Sequence, residues 1–344
     1  TQLAGKTQAL SLDLTAPFGI LLNHNMEHNT GLSGLLHPEH YIDKMGLYQL
    51  EPWRPNQIPV VFVHGLMSSP MTWLAALNQL RADPVLRSRY QLYVFRYPTG
   101  FPIVYNAAAL RRRIAAFEQE VDPRGTNPNL RKMVLIGHSM GGILSNTQIR
   151  SSGDTLTRRL FTGSIDDVKG VTEAQKADMK DILTYKANPN ITRAIFVASP
   201  HRGSDIAQNS FGSFAAKFVK FPRLLIQERD EAELEGLTEL GEKLLKERPN
   251  SIRGLRPDNP GTAAILEQKV RPGVKIHSVI GRKNPKDSIA ESDDGVVPYW
   301  SSHLDYAVSE KVVHATHTTI NANQNAIEEV GRILYLHLGL RPKQ

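Results

Sequence analysis

There is no cysteine anywhere in the 344 residues. Disulfides, thiolate metal sites and a cysteine nucleophile are therefore excluded, while the compartment stays open. The chain also lacks any apolar run near the ~18 residues that a membrane span requires. It has no internal repeat, no low-complexity tract and no phosphate-cradling glycine loop. His24, His28, His37 and His40 gather near the start with Glu27 among them, but no compact HExxH spacing is present, so no metal site is expected. The net charge is +7, yet no nucleic-acid-binding motif accompanies it. The only tight basic cluster, Arg111-Arg112-Arg113, sits in helical sequence and is expected to be a solvated face; no nucleic-acid partner is implied. The chain opens on Thr1 rather than methionine, which suggests a processed form. The compartment is left unassigned, with export after loss of a targeting segment as one expectation.

What remains is an ordinary globular composition, 40% hydrophobic and 22% charged, with ample material for a core. Residues 1–50 resist reading: "ALSLDLTAPFGILLNH" suits one or two short strands, and a polar, histidine-containing stretch follows. They are set apart as an N-terminal extension without an assigned role. After the proline-rich "EPWRPNQ", short apolar runs alternate with amphipathic segments. Strands are expected at 58–65, 90–98, 132–138, 192–199, 274–281 and 310–316. Helices are expected at 69–83, 106–121, 141–150 and 321–338. Such alternation implies a mostly parallel sheet with helices on both faces. Residues 151–191 and 204–270 break the rhythm and read as insertions. The second, with Phe211, Phe214, Phe218, Phe221, Leu224, Leu225 and Ile226, is expected to form a lid or cap.

"LIGHSMGGIL" (135–144) carries the sharpest chemical signal. Glycine is a poor interior residue in strand or helix, and three glycines crowd one serine here. Gly137-x-Ser139-x-Gly141 follows a strand and opens a helix, as a nucleophile elbow must. The sharp turn lifts the serine hydroxyl above the sheet edge, and the helix N-terminus faces any negative charge that develops there. Acyl transfer also needs two backbone N–H groups aimed at an oxyanion. Met140, after the serine, supplies one; Leu66, after His64-Gly65 at the end of the first buried strand, supplies the other. A base and an orienting acid should follow in the order serine, acid, histidine. Asp294, before Gly295, is the favoured acid. Asp293 is its rival, Asp287 and Glu291 are weaker candidates, and Asp-Gly is also a turn signal in its own right. His317, in the loop before the last helix, is favoured over His314, which lies in a strand pattern. Met67 and His201 are assigned to the substrate pocket, with simple packing as the alternative for His201.

"VFVHGLMSSPMTW", "VLIGHSMGG", "ASPHRGS", "SDDGVVP" and "THTTI" occur in that order, and together they resemble α/β-hydrolases of the bacterial lipase and esterase group. The resemblance covers about residues 58–338. It implies an α/β-hydrolase fold over 51–344, a Ser139–Asp294–His317 triad, and an oxyanion hole at Leu66 and Met140. The single glycine before Leu66 departs from the multi-glycine loop of many carboxylesterases and is similar to the lipase-like class. The expected activity is hydrolysis of apolar short-to-medium acyl esters, small or polymeric, with no cofactor. An acyltransferase or thioesterase with the same triad, or an idle hydrolase-like binding module, are the alternatives. Oligomeric state is not legible.

Overall fold

The computed structural model describes residues 30–204, 235–246 and 250–341, with a two-residue ladder pairing Gln2–Leu3 and Lys6–Thr7. Its centre is a seven-stranded sheet. In chain order the strands are β1 (Gly46–Gln49), β2 (Ile58–Val63), β3 (Tyr90–Arg96), β4 (Met133–His138), β5 (Ile191–Val197), β6 (Lys275–Arg282) and β7 (Ser309–His314). Their spatial order is β1-β3-β2-β4-β5-β6-β7. Only β1 runs antiparallel to its neighbour; all the other pairs are parallel.

The middle strands read as unbroken apolar runs because both faces are covered. Alternate residues go to opposite sides. Val61, Val63, Tyr93, Phe95, Leu135 and Phe196 join one core, with the helix Ile103–Val121 against it. Val60, Phe62, Val94, Ile136, Ile195 and Val197 join the other, beneath the helices Leu74–Ala82 and Gln324–His337. The last helix shows the expected spacing, burying Ala326, Ile327, Val330, Ile333 and Leu334.

Each of the six strands expected from the sequence forms within two residues of its expected ends. The edge strand β1 was not foreseen. It falls inside the stretch set apart as an extension, and its four residues are too few to show an alternation. Residues 9–24, where strands were expected, lie outside the described residues. Of the arginine cluster, Arg112 and Arg113 are exposed, but Arg111 lies 4.3 Å over the Tyr185 ring and is not a solvated side chain.

Residues 151–190 form helices Thr155–Leu160 and Glu173–Leu183, which build a third apolar cluster around Leu156, Phe161, Ile182 and Leu183. The described end of the second insertion packs on it: Phe161 pairs with Leu237, and the helix Glu239–Lys246 follows. The expected lid aromatics, Phe211 to Ile226, lie outside the described residues. No helix among the described residues is long and apolar enough to cross a membrane.

Chain connectivity fixes where chemistry can occur. From β2 the chain moves outward to β3, then crosses back to place β4 on the other side of β2. At such a switch point the loops after two neighbouring strands diverge and leave a crevice above their C-terminal ends. Val63 is in register with Gly137 there, so the loop beginning at His64 stands beside Ser139.

Candidate active site

Ser139 directly follows β4 and caps the helix Met140–Gln148 with φ 54° and ψ −128°. A non-glycine residue with positive φ is uncommon, and its backbone strain is held in place by its surroundings. Just three such residues occur among the described ones: Met67, Ser139 and Ala198, each just beyond the C-terminal end of β2, β4 or β5. The elbow glycines answer to close approach. A Cβ on Gly137 would lie 2.5 Å from the Gly141 carbonyl oxygen; one on Gly141 would overlap the Val63 and His64 carbonyls; one on Gly142 would overlap Ser199. Gly65 fits the same logic, since a Cβ there would sit 2.8 Å from that of Ser139.

Three side chains, with Ser139 more than 150 residues from the other two, meet above this turn. His317 Nε2 is 2.9 Å from Ser139 Oγ, and His317 Nδ1 is 2.7 Å from Asp294 Oδ2. A carboxylate only accepts, so Nδ1 carries the imidazole proton and Nε2 presents its lone pair to the serine hydroxyl. Asp294 is itself fixed. Its Oδ1 accepts from the amides of Val296 (3.0 Å) and Val297 (2.7 Å), and its carbonyl accepts from the His317 amide. All three residues are buried, Asp294 to 1% exposure. A Cβ on Gly281 would approach that of Asp294 at 2.8 Å, so this strand end must also be bare.

The rival candidates stand elsewhere. Asp293 is exposed, and its carboxylate accepts from the Gly295 amide (2.6 Å). Asp287 and Glu291 are exposed and bond within their own loop. His314 ends β7, exposed, with Nε2 donating to the Lys283 carbonyl. In the loop after β2, the Met67 amide is taken by Thr99 Oγ1 (3.2 Å), while those of Leu66 and Met140 have no acceptor among the described residues. Met67 is half-buried and packs with Leu66, Leu35 and Ile252. Among the described residues no hydrogen bond or ring contact joins His201 to the triad. His201 is 1% exposed, edge-on to Phe196, and its Nδ1 accepts from Asn146. In this arrangement the ring packs within the core.

Sequence reasoning passed over His138. Its ring lies 4.9 Å from that of His317, and its Nε2–H donates to the His317 carbonyl (3.1 Å). It thus braces the loop that carries the imidazole. Thr99, which holds the Met67 amide, was missed as well, and nothing in its local sequence marks it. Among the described residues no three His, Asp or Glu side chains are placed to hold a metal; His24, Glu27 and His28 lie outside them, while His37 and His40 stack at the surface.

A serine on a strained strand-to-helix turn, above the switch point of a parallel sheet, defines a class of enzymes that use the elbow nucleophile. Residues 60–237 match the profile of the α/β hydrolase family, just over half of the chain, and the chain belongs to that family. No curated protein matches it. Among solved structures it is similar to the mature lipase BlEst2 of Bacillus licheniformis, at 17% identity and TM-score 0.48, over 85% of this chain and 97% of that one. It is also similar to a butyrate-bound esterase, Est2, of Thermogutta terrifontis, at 14% identity and TM-score 0.43, over 87% and 90%. Phospholipase PlaB of Legionella pneumophila is a third, at 15% identity and TM-score 0.40, over 72% and 45%. Likenesses this remote transfer no substrate to the chain.

The buried histidines carry a consequence for stability. Burial pushes His64 and His337 down to about 4, His201 and His277 down to about 3, and His138 well below the usual histidine range. His64 Nε2, His138 Nδ1 and His201 Nε2 also lack a partner among the described residues. In the unfolded chain each would take up a proton near pH 6.5 that the folded state refuses. A base with a depressed folded-state pKa contributes stability above its unfolded value and loses it as pH falls toward the folded one, by up to about 1.4 kcal/mol per pH unit per group. Summed over these groups at half that rate, the loss reaches several kcal/mol by about pH 5, a large part of a typical ~5–15 kcal/mol. The Tm is therefore expected to fall steeply between pH 6.5 and 4.5, and His201→Gln to flatten the slope. A Tm constant down to pH 5 would contradict this.

Proposed function

We propose that the protein is a serine carboxylic-ester hydrolase. The reading rests on the chain of hydrogen bonds from Ser139 Oγ through His317 to a buried, triply bonded Asp294. His317 Nε2 takes the serine proton as Oγ attacks the acyl carbon, and the tetrahedral oxyanion is received by the amides of Leu66 and Met140. Both amides sit where they are free to turn toward it, one behind the strained Met67, the other in the first turn of a helix whose dipole favours an anion. The imidazolium then protonates the departing alcohol. Water repeats the sequence on the acyl-enzyme, with His317 as its base. Asp294 stays ionised throughout and holds the tautomer. No cofactor enters these steps.

Substrate preference follows from the surroundings of the oxyanion loop. Leu35, Leu66, Met67 and Ile252 form an apolar cluster there, so apolar, uncharged esters are favoured. Each methylene buried against such a surface contributes about 0.8 kcal/mol, roughly fourfold in kcat/KM, until the space is filled. With p-nitrophenyl esters from acetate to palmitate, kcat/KM is expected to climb through about four to eight carbons and then fall, a range set by ordinary pocket sizes. Hydrophobic polyesters join the substrates if the cleft is open enough. A flat profile, or a rise continuing to palmitate with activation at an oil–water interface, would replace this reading with that of a true lipase.

A further inference from the structure

A large cavity among the described residues lies away from the serine. It holds about 560 Å³ between the start of the helix Ile103–Val121, the two helices of the first insertion, and the helix Glu239–Lys246 with the segment 250–265. None of the triad residues lines it, nor does Leu66, Met67 or Met140. The turn Ser251–Gly254 separates the two places: Arg253 and Gly254 face the cavity, whereas Ile252 packs with Leu35 against Leu66 and Met67.

The space is a half-open pocket rather than a sealed void, with Lys243 exposed at its rim. It falls within the ~300–1,000 Å³ of small-molecule sites. Its walls are aliphatic, with Leu156, Leu160, Met179, Ile182 and Leu240 prominent among them, and such walls give ordered water few partners. Its polar fringe is cationic. Arg159 is engaged by Glu267 and the Pro260 carbonyl, and Arg256 is held by Asp258 through two 3.0 Å bonds. That pairing uses up the only carboxylate among the described lining residues. Lys243 and Arg253 also border the cavity, and neither side chain has an acceptor among the described residues. An aliphatic chamber fringed by two cations that have no acceptor among the described residues calls for a ligand with an apolar body and one anionic head.

We propose that this cavity is a second ligand site, distinct from the serine, which takes an amphipathic carboxylate of the long-chain fatty-acid class. The chain lies against the leucine-rich walls. The carboxylate is received by Lys243 as a point charge and by Arg253 as a two-pronged donor. The site owes nothing to the reaction assigned to Ser139, and it stands whether or not that assignment holds.

Calorimetric titration with dodecanoate, below the concentration at which it aggregates, tests the proposal on the whole chain. Wild type and Ser139→Ala are each expected to bind one equivalent with similar affinity, while acetate gives no heat and dodecanol binds at least tenfold more weakly. Leu240→Trp, which fills part of the chamber from a half-buried position, should weaken dodecanoate at least tenfold. Lys243→Glu combined with Arg253→Glu should do the same, and Lys243→Arg with Arg253→Lys should retain binding. Thermal unfolding of each variant shows that it is folded before it is titrated. Absence of saturable dodecanoate binding to wild type, binding untouched by both disruptive variants, or equal affinity for dodecanol would each overturn the proposal.

Discussion

Ser139→Ala is expected to lower kcat by about six orders of magnitude and to abolish covalent labelling by a fluorophosphonate, while the protein stays folded. The magnitude follows from loss of the nucleophile itself; an intact oxyanion hole and binding surface still leave ~10³–10⁴ over the reaction in water. Folding survives because the deleted Oγ makes one hydrogen bond, to His317, and the elbow is held by other contacts: Ser139 N–H donates to the Val197 carbonyl at 2.9 Å, and Gly142 N–H to the Ser139 carbonyl. The backbone supplies a sharper test. An alanine in place of Ser139 would inherit the φ of 54°, at a strain cost of ~1–3 kcal/mol that glycine largely escapes, against glycine's entropic cost of ~0.5–1 kcal/mol. Ser139→Gly should therefore melt above Ser139→Ala, the reverse of the usual order, with both inactive. Near-wild-type turnover in either variant would end the serine reading. The ordinary order of melting would instead show that the elbow is not strained.

How far the sequence could foresee this arrangement depended on what kind of physical constraint was at work. Strands β2 and β4 were legible because burial on both faces demands "IPVVFV" and "MVLIGH", with no polar residue to interrupt the run until the strand ends. The elbow was legible because three glycines are needed where the helix Met140–Gln148 crosses β2 and Ser199, and such a cost is tolerated only for close approach. The choice within Asp293-Asp294 was different. Both precede the same glycine, and a turn that exposes one buries the other; only the backbone amides of Val296 and Val297 determine which faces inward. The orientation of His201 was not legible for a related reason, since "SPHRG" fixes a loop but not the direction of a ring that turned toward Phe196. The cavity beside Lys243 and Arg253 could not be read at all, because its walls come from segments as much as a hundred residues and more apart.

Asp294→Asn and His317→Ala are expected to separate cleanly from Asp293→Asn and His314→Ala. Removing the imidazole takes away the proton acceptor for Ser139 and should cost about as much as removing the serine, near six orders of magnitude in kcat. For Asp294→Asn the argument is one of tautomer. The carboxylate accepts from His317 Nδ1 at 2.7 Å while its other oxygen is already committed to two amides. In the asparagine variant the Oδ1 position keeps those amides only if the NH₂ group faces His317. The NH₂ then needs an acceptor, so Nδ1 gives up its proton and Nε2 takes one. A protonated Nε2 cannot receive the serine proton, and about four orders of magnitude should be lost, as expected when the wrong tautomer is imposed on intact geometry. Asp293 and His314 do neither job. The first is an exposed acceptor for the Gly295 amide, which asparagine replaces directly, and the second is an exposed donor to the Lys283 carbonyl. Each substitution should change kcat/KM by less than about tenfold, since exposed groups away from special features usually shift stability by no more than ~0.5 kcal/mol. A larger loss in Asp293→Asn than in Asp294→Asn would move the acid by one residue and leave the serine in place. A larger loss in His314→Ala than in His317→Ala would be harder to absorb, because the 2.9 Å contact to Ser139 Oγ belongs to His317.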